Sequence, residues 1–148
     1  MASARPQRGV LDTSTVILLS RITDSMSLPI EPVISAVTLA ELSVGPLVAR
    51  TEQERAARQA HLQQAEADFE PLPFDAAAAR AFGGVAASLR RAGRKPGARS
   101  YDAMIAATAL ANNLPLYTCD PAGFAGVDDL TVVTVAHPDQ PSSSRLDR

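Results

Sequence analysis

The chain has 148 residues, a formal net charge of -2 and a single cysteine, Cys119. That length can bury a core of its own without disulfides or structural metal, and one domain is the expectation. The charge argues against a histone-like or membrane-surface protein, although a local basic patch can still serve a nucleic acid. One cysteine fits a reducing, cytoplasmic compartment. No apolar run approaches the ~18 residues of a membrane span. Residues 1–7 are polar and carry no apolar signal core, and residues 137–148 are rich in Pro and Ser. Both read as flexible tails around a domain over residues 8–136.

Gly9-Val10-Leu11 reads as a buried strand that stops at Asp12. Three hydroxyl residues follow, Thr13, Ser14 and Thr15, and a helix is expected from near Ser14. Residues 22–31 form a loop, and Val33-Ile34 a second short strand. Ser35 caps a helix over residues 36–44, which Gly45-Pro46 should break or kink. Thr51 and Glu54 have the spacing of a capping box, opening a polar surface helix to about Ala67. Residues 69–74 read as an edge strand because of Pro71 and Pro73. Asp75 caps a helix over residues 76–91, with Phe82, Val85, Ala86 and Leu89 on one buried face. Gly83 and Gly84 lie inside that helix, and close packing is the expected offset to their conformational cost.

A loop over residues 93–98 leads to a helix over residues 99–112, whose stretch 103–111 is apolar all round except for Thr108 and is therefore buried. Residues 114–117 and 130–135 complete the strands. Short strands alternating with helices predict a three-layer α/β domain. Its sheet should be mostly parallel, of four or five strands, flanked by helices.

Four acids sit where solubility alone does not need them. Asp12 and Asp120 follow apolar strands, Glu41 lies in an apolar helix, and Asp102 opens the buried one. Right-handed crossovers can put the second and fourth strands on opposite sides of the first, making a crevice at Asp12 and Asp120. Clustered carboxylates repel one another, and a hard divalent cation cancels that repulsion. Mg2+ takes one or two carboxylates, keeps several waters and is completed by phosphate oxygens; Mn2+ uses similar ligands. Such a metal can orient a water and stabilise the charge on a phosphodiester, and Asp12, Glu41, Asp102 and Asp120 are the acids that could meet it. Ser14 and Thr118 can aim the acids by hydrogen bonds. Taken singly, each acid has a plainer role: strand-end cap, exposed helix residue, dipole partner or turn former.

Four segments carry a resemblance. They are Val10-Leu11-Asp12-Thr13-Ser14, Thr38-Leu39-Ala40-Glu41-Leu42, the run from Asp102 to Ala109, and Pro115-Leu116-Tyr117-Thr118-Cys119-Asp120. In this order and spacing the chain resembles the PIN domain, and within it the VapC-type toxin ribonucleases of bacterial toxin–antitoxin pairs. The resemblance covers residues 8–135. It implies Asp12, Glu41, Asp102 and Asp120 as the acidic quartet of a Mg2+-dependent endoribonuclease that leaves a 5′-phosphate and a 3′-hydroxyl, with Asp12, Asp102 and Asp120 as the expected metal ligands and Glu41 positioning or deprotonating the attacking water. It also implies a homodimer inhibited by a small antitoxin. One departure stands out: Gly123 occupies the place where relatives often carry the later acid, while Asp120 stands where they often carry Asn.

No acid interrupts the window between Asp75 and Asp102, which holds Arg80, Arg90, Arg91, Arg94, Lys95 and Arg99. A phosphate backbone needs such a patch to approach acids, and Arg94, Lys95 and Arg99 are the expected RNA contacts. The alternative function is a PIN-fold RNA- or protein-binding module with weak or no turnover, prompted by Gly123. A phosphoryl-acceptor domain is disfavoured, because Ser14 is not an acid and no Lys follows the fourth strand. Helices over residues 36–48 and 51–67 are the expected groove for an antitoxin segment.

Overall fold

A computed structural model of the protein describes residues 6–140. Five strands, β1 (Arg8–Leu11), β2 (Glu31–Ser35), β3 (Pro71–Leu72), β4 (Leu116–Thr118) and β5 (Val132–Thr134), form one parallel sheet in the order β3-β2-β1-β4-β5. The central strand β1 therefore has β2 on one side and β4 on the other, as the crossover rule anticipates. Five helices connect and cover the strands: α1 (Thr13–Leu18), α2 (Ala36–Val48), α3 (Glu52–Asp68), α4 (Ala76–Arg91) and α5 (Ser100–Ala111).

Alternation along the strands divides the core. Val10, Val33 and Leu116 point to one face, where Val85 and Leu89 of α4 and Ile105, Ala106 and Ala109 of α5 pack. Leu11, Ile34 and Tyr117 point to the other face, under Val16 of α1, Leu42 of α2 and Ala65 of α3. Helix α5 is buried almost all round, which its composition of Ala, Ile and Met anticipates. Gly9 is required for a packing reason: a Cβ there would lie 2.4 Å from Cε1 of Tyr117.

Two expectations need correction. Helix α2 does not end at Gly45-Pro46 but continues to Val48. Proline removes one intrahelical bond, a cost of roughly 3 kcal/mol in a helix interior. Here Pro46 is buried, and Nη1 of Arg58 on α3 donates to the Gly45 carbonyl at 3.0 Å, so packing against α3 carries the helix through. Gly83 and Gly84 are not sites of close packing. Both are exposed, and a Cβ at either meets nothing within 4 Å.

Smaller differences lie at element ends. Helix α1 begins at Thr13 because Asp12 itself is the cap, and the loop before β2 holds short 3-10 turns at Leu19–Arg21 and Ser25–Ser27. The edge strand shrinks to Pro71–Leu72.

The segments flanking the domain make contacts of their own. Ile30 and Glu31 donate to the carbonyls of Pro6 and Gln7, and Arg21 pairs with Asp139. The outer parts of the expected tails, residues 1–5 and 141–148, lie outside the described residues. No described helix is long and apolar enough to cross a membrane.

Candidate active site

The carboxyl ends of β1 and β4 lie side by side, and Asp12 sits at the first of them. Its backbone N–H donates to the Tyr117 carbonyl, and its side chain caps α1. Asp12 is 4% exposed and accepts four hydrogen bonds. The Thr15 N–H (3.1 Å) and hydroxyl (2.5 Å) reach Oδ1; the hydroxyls of Thr118 (2.7 Å) and Ser14 (3.2 Å) reach Oδ2. A carboxylate buried this deeply costs several kcal/mol unless its oxygens are satisfied, and these donors satisfy them. Ser14 and Thr118, the hydroxyls expected to aim the acids, both touch Asp12.

Three further hydroxyls were not singled out by sequence. Thr15 accepts from the Cys119 N–H at 3.0 Å, tying the end of β4 to the start of α1. Thr13 donates to Oε1 of Glu41 at 2.7 Å, with Thr38 as a neighbour at 3.0 Å. Thr15 was recoverable in principle, because a capping Asp points its oxygens at the third residue of its helix. The Thr13–Glu41 contact joins residues 28 apart and depends on how α2 packs on α1.

Glu41 and Asp102 are half-buried. Burial raises the carboxyl pKa of Glu41 above its ordinary value; the Thr13 hydrogen bond opposes this, and the charges of Asp102 and Asp12 add to it. Asp102 is likewise raised, first by burial, against the hydrogen bond from Arg99, with the charges of Asp12 and Asp120 reinforcing. Asp12 is thus near enough for its charge to act on both Glu41 and Asp102, and Asp120 near enough to act on Asp102. An open cleft of about 670 Å³ is lined by Glu41, Arg99, Tyr101 and Asp102. Cys119 is no rival nucleophile, because burial pushes its thiol pKa up.

Asp120 is more exposed than the other acids. Its N–H donates to the Thr118 hydroxyl at 2.9 Å, so one threonine serves both Asp12 and the Asp120 backbone. Gly123 closes this end: a Cβ on it would lie 3.1 Å from Oδ2 of Asp102 and 3.8 Å from Oδ2 of Asp120. The position where relatives often carry an acid therefore points into the cluster.

The basic window is only partly free. Arg91 pairs with Asp128 at 2.5 Å. Nη1 of Arg94 donates at 2.8 Å to the carbonyls of both Ala122 and Ala125, which fastens the turn Pro121–Phe124. Nη1 of Arg99 lies 3.4 Å from Asp102 and 3.7 Å from Asp120. Lys95 is exposed, and Arg94, Lys95 and Arg99 line one pocket with Asp102 and Gly123.

Among the described residues, no group of three or more His, Cys, Asp or Glu side chains is placed to hold a metal ion, so Asp12, Asp102 and Asp120 do not form a ready three-carboxylate site. The donor set nevertheless suits a hard divalent cation: oxygen ligands only, mutually repelling, beside an open cleft. Such a cation needs one or two carboxylates and keeps its waters.

The chain matches the PIN-domain family over residues 10–130. It is 40% identical to Ribonuclease VapC5 of Mycobacterium tuberculosis over 135 residues, 90% of this chain and 97% of that protein. It is 37% identical to Ribonuclease VapC4 of the same organism over 102 residues, 69% of this chain and 75% of that protein. Among solved structures it is similar to VapBC-5 from Mycobacterium tuberculosis, a member of the VapBC family of toxin–antitoxin systems. That match has a TM-score of 0.75 at 39% identity and covers 88% of this chain and 100% of the other. Sequence and topology agree, and this chain belongs to the PIN-domain family as a VapC-type member.

Proposed function

We propose that the protein is a Mg2+-dependent endoribonuclease and the toxin of a toxin–antitoxin pair, acting in the cytoplasm. The observation that carries this reading is Asp12: a nearly dry carboxylate held by four donors, facing two half-buried acids whose pKa values are raised. A fold does not keep three mutually repelling carboxylates beside a cleft for stability. VapC4 and VapC5 are named ribonucleases, which supports RNA as the substrate.

In this reading Asp12, Asp102 and Asp120 hold the cation directly or through its waters. Mn2+ is the alternative ion. A bound Mg2+ supplies charge stabilisation at the phosphodiester and lowers the pKa of water. Glu41 positions the attacking water. Thr13 occupies Oε1, which leaves Oε2 to receive the water's proton, and the raised pKa makes that acceptance easier. The new bond joins water oxygen to phosphorus as the bond to the 3′-oxygen breaks; that oxygen takes a proton from solvent and Glu41 returns the water's proton to solvent, giving a 5′-phosphate and a 3′-hydroxyl. Lys95 and Arg99 meet the phosphate backbone. Arg94 acts mainly by holding the turn that carries Asp120 and Gly123.

The relative of known structure comes from a VapBC toxin–antitoxin system, which supports a small antitoxin as partner. A groove lined by Thr13, Ile17, Glu41, Leu42, Arg58 and His61 lies among α1, α2 and α3, beside a second one over Ile17, His61 and Phe69. An antitoxin helix laid there would end at Glu41. Leu47 and Val48, both exposed at the end of α2, are a candidate part of a homodimer face. A second reading, a binding module without turnover, draws its support from Gly123 and from the lack, among the described residues, of three ligating side chains placed to hold a metal ion.

The test is RNA cleavage with Mg2+, with EDTA, and with Asp12→Asn or Asp102→Asn. Products are expected only from the wild type with metal. Equal cleavage under all conditions removes the metal mechanism, and RNA binding without products favours the second reading.

A further inference from the structure

Arg99 and Asp102 stand three residues apart at the start of α5, and alone that pair is an ordinary surface ion pair. Two observations set it apart. The same Nη1 also faces Asp120, which comes from a different strand end, so one guanidinium bridges two acids brought together by the sheet. The seat exists because residue 123 has no side chain: a Cβ there would lie 2.9 Å from that nitrogen. Glycine and arginine therefore fit each other, and the glycine that departs from the relatives' acid is the condition for the arginine's position.

We propose that Arg99 is the resident, exchangeable counter-cation of the Asp102–Asp120 end of the site. In the metal-free protein its charge relieves the repulsion between the two carboxylates. A divalent cation reaching Asp102 must share or displace it. Arginine suits this exchange: its charge is permanent, its hydration weak, and a released guanidinium grips a phosphate in a two-pronged contact. The side chain is 46% exposed, so it can leave without unpacking the core. The protein thus holds the Asp102–Asp120 end of its acidic site partly neutralised. It gives up that pairing when cation and phosphodiester arrive together.

The inference rests on the metal-dependent reading and is tested by binding rather than turnover. Mn2+ is titrated calorimetrically into the full-length wild type, Arg99→Gln and Arg99→Lys, without RNA. Removal of a competing charge should tighten Mn2+ binding to Arg99→Gln by roughly three- to tenfold, as loss of a partly exposed ion pair allows. Arg99→Lys should fall between the two. As a second variant, Gly123→Ala crowds the guanidinium out of its seat while leaving its charge, and should also bind Mn2+ more tightly than the wild type. Equal or weaker binding by Arg99→Gln and Gly123→Ala, with the wild type still binding, overturns the Arg99 proposal alone. Absence of Mn2+ binding by every protein overturns the metal-dependent reading together with it.

Discussion

The two ends of the acidic site are built differently. At the Asp12 end the carboxylate is 4% exposed, and each oxygen accepts two hydrogen bonds from residues on α1 or β4. At the other end the side chains of Asp102 and Asp120 are 29% and 56% exposed, and their cationic neighbour is Arg99, itself half in solvent. The first end is fixed by the fold. The second is held by charge and can rearrange. Under the proposed function, in which the site takes up a cation and a long anionic polymer, both ends have a use: an anchor that keeps its geometry and a rim that exchanges partners.

The contrast can be broken most severely at the anchor. Asp12→Asn keeps the shape and the helix cap but removes the charge, and should lower Mg2+-dependent RNA cleavage by at least ~100-fold. Thr118→Val removes one donor from Asp12 and the acceptor for the Asp120 N–H. Cleavage should fall about 10- to 100-fold, the usual cost of losing a group that orients a metal ligand. At the rim, the effect of Asp120→Asn should be smaller than that of Asp12→Asn, because Asp120 is exposed and already shares Arg99. Initial-rate assays at fixed Mg2+ rank the three, and an equal loss for Asp12→Asn and Asp120→Asn would erase the distinction between anchor and rim.

Acid content sets a pH dependence. Glu41 and Asp102 have raised pKa values in the fold, so the folded chain holds their protons more tightly than the unfolded chain does. Their carboxyls cost no stability below the ordinary carboxylate range and oppose folding once pH rises through the raised values. Glu41→Gln, which can still accept from Thr13, should therefore raise the melting temperature of the metal-free protein at neutral pH. That gain should shrink as pH falls through Glu41's raised pKa and be gone below the ordinary carboxylate range. Protons compete with the cation for the same oxygens, so cleavage should fall on the acid side at a pH above the ordinary carboxylate range. Far from the site, Gly83→Ala and Gly84→Ala fill open space on α4 and should each stabilise by about 0.5–1 kcal/mol, read by urea unfolding, with activity unchanged.

Much of this was legible in the chain. Val10-Leu11-Asp12 and Leu116-Tyr117-Thr118 are short apolar runs ending in polar residues, and parallel sheets gather such ends at one edge. That rule suffices to pair Asp12 with Thr118. The hydroxyls under Glu41 were less legible, because Thr13 meets Glu41 only through the packing of α1 on α2. Pro46 misled because its helix-breaking tendency is local, whereas its burial and the Arg58 contact to Gly45 are tertiary. A second role of Arg94 was invisible in the sequence: its charge suggests a polyanion, while its Nη1 also ties two backbone carbonyls of the turn, a contact set by the fold. Gly123 was visible as a departure, yet only the fold reveals that its missing side chain makes room for Arg99.

The central claim is that Asp12 and Asp102, brought together from opposite ends of the chain, hold one divalent cation between them. Mn2+ titration of the wild type, Asp12→Asn and Asp102→Asn tests it directly. The account predicts binding to the wild type and an affinity lower by at least ~10-fold in each variant. Wild-type affinity in Asp12→Asn or in Asp102→Asn would contradict it.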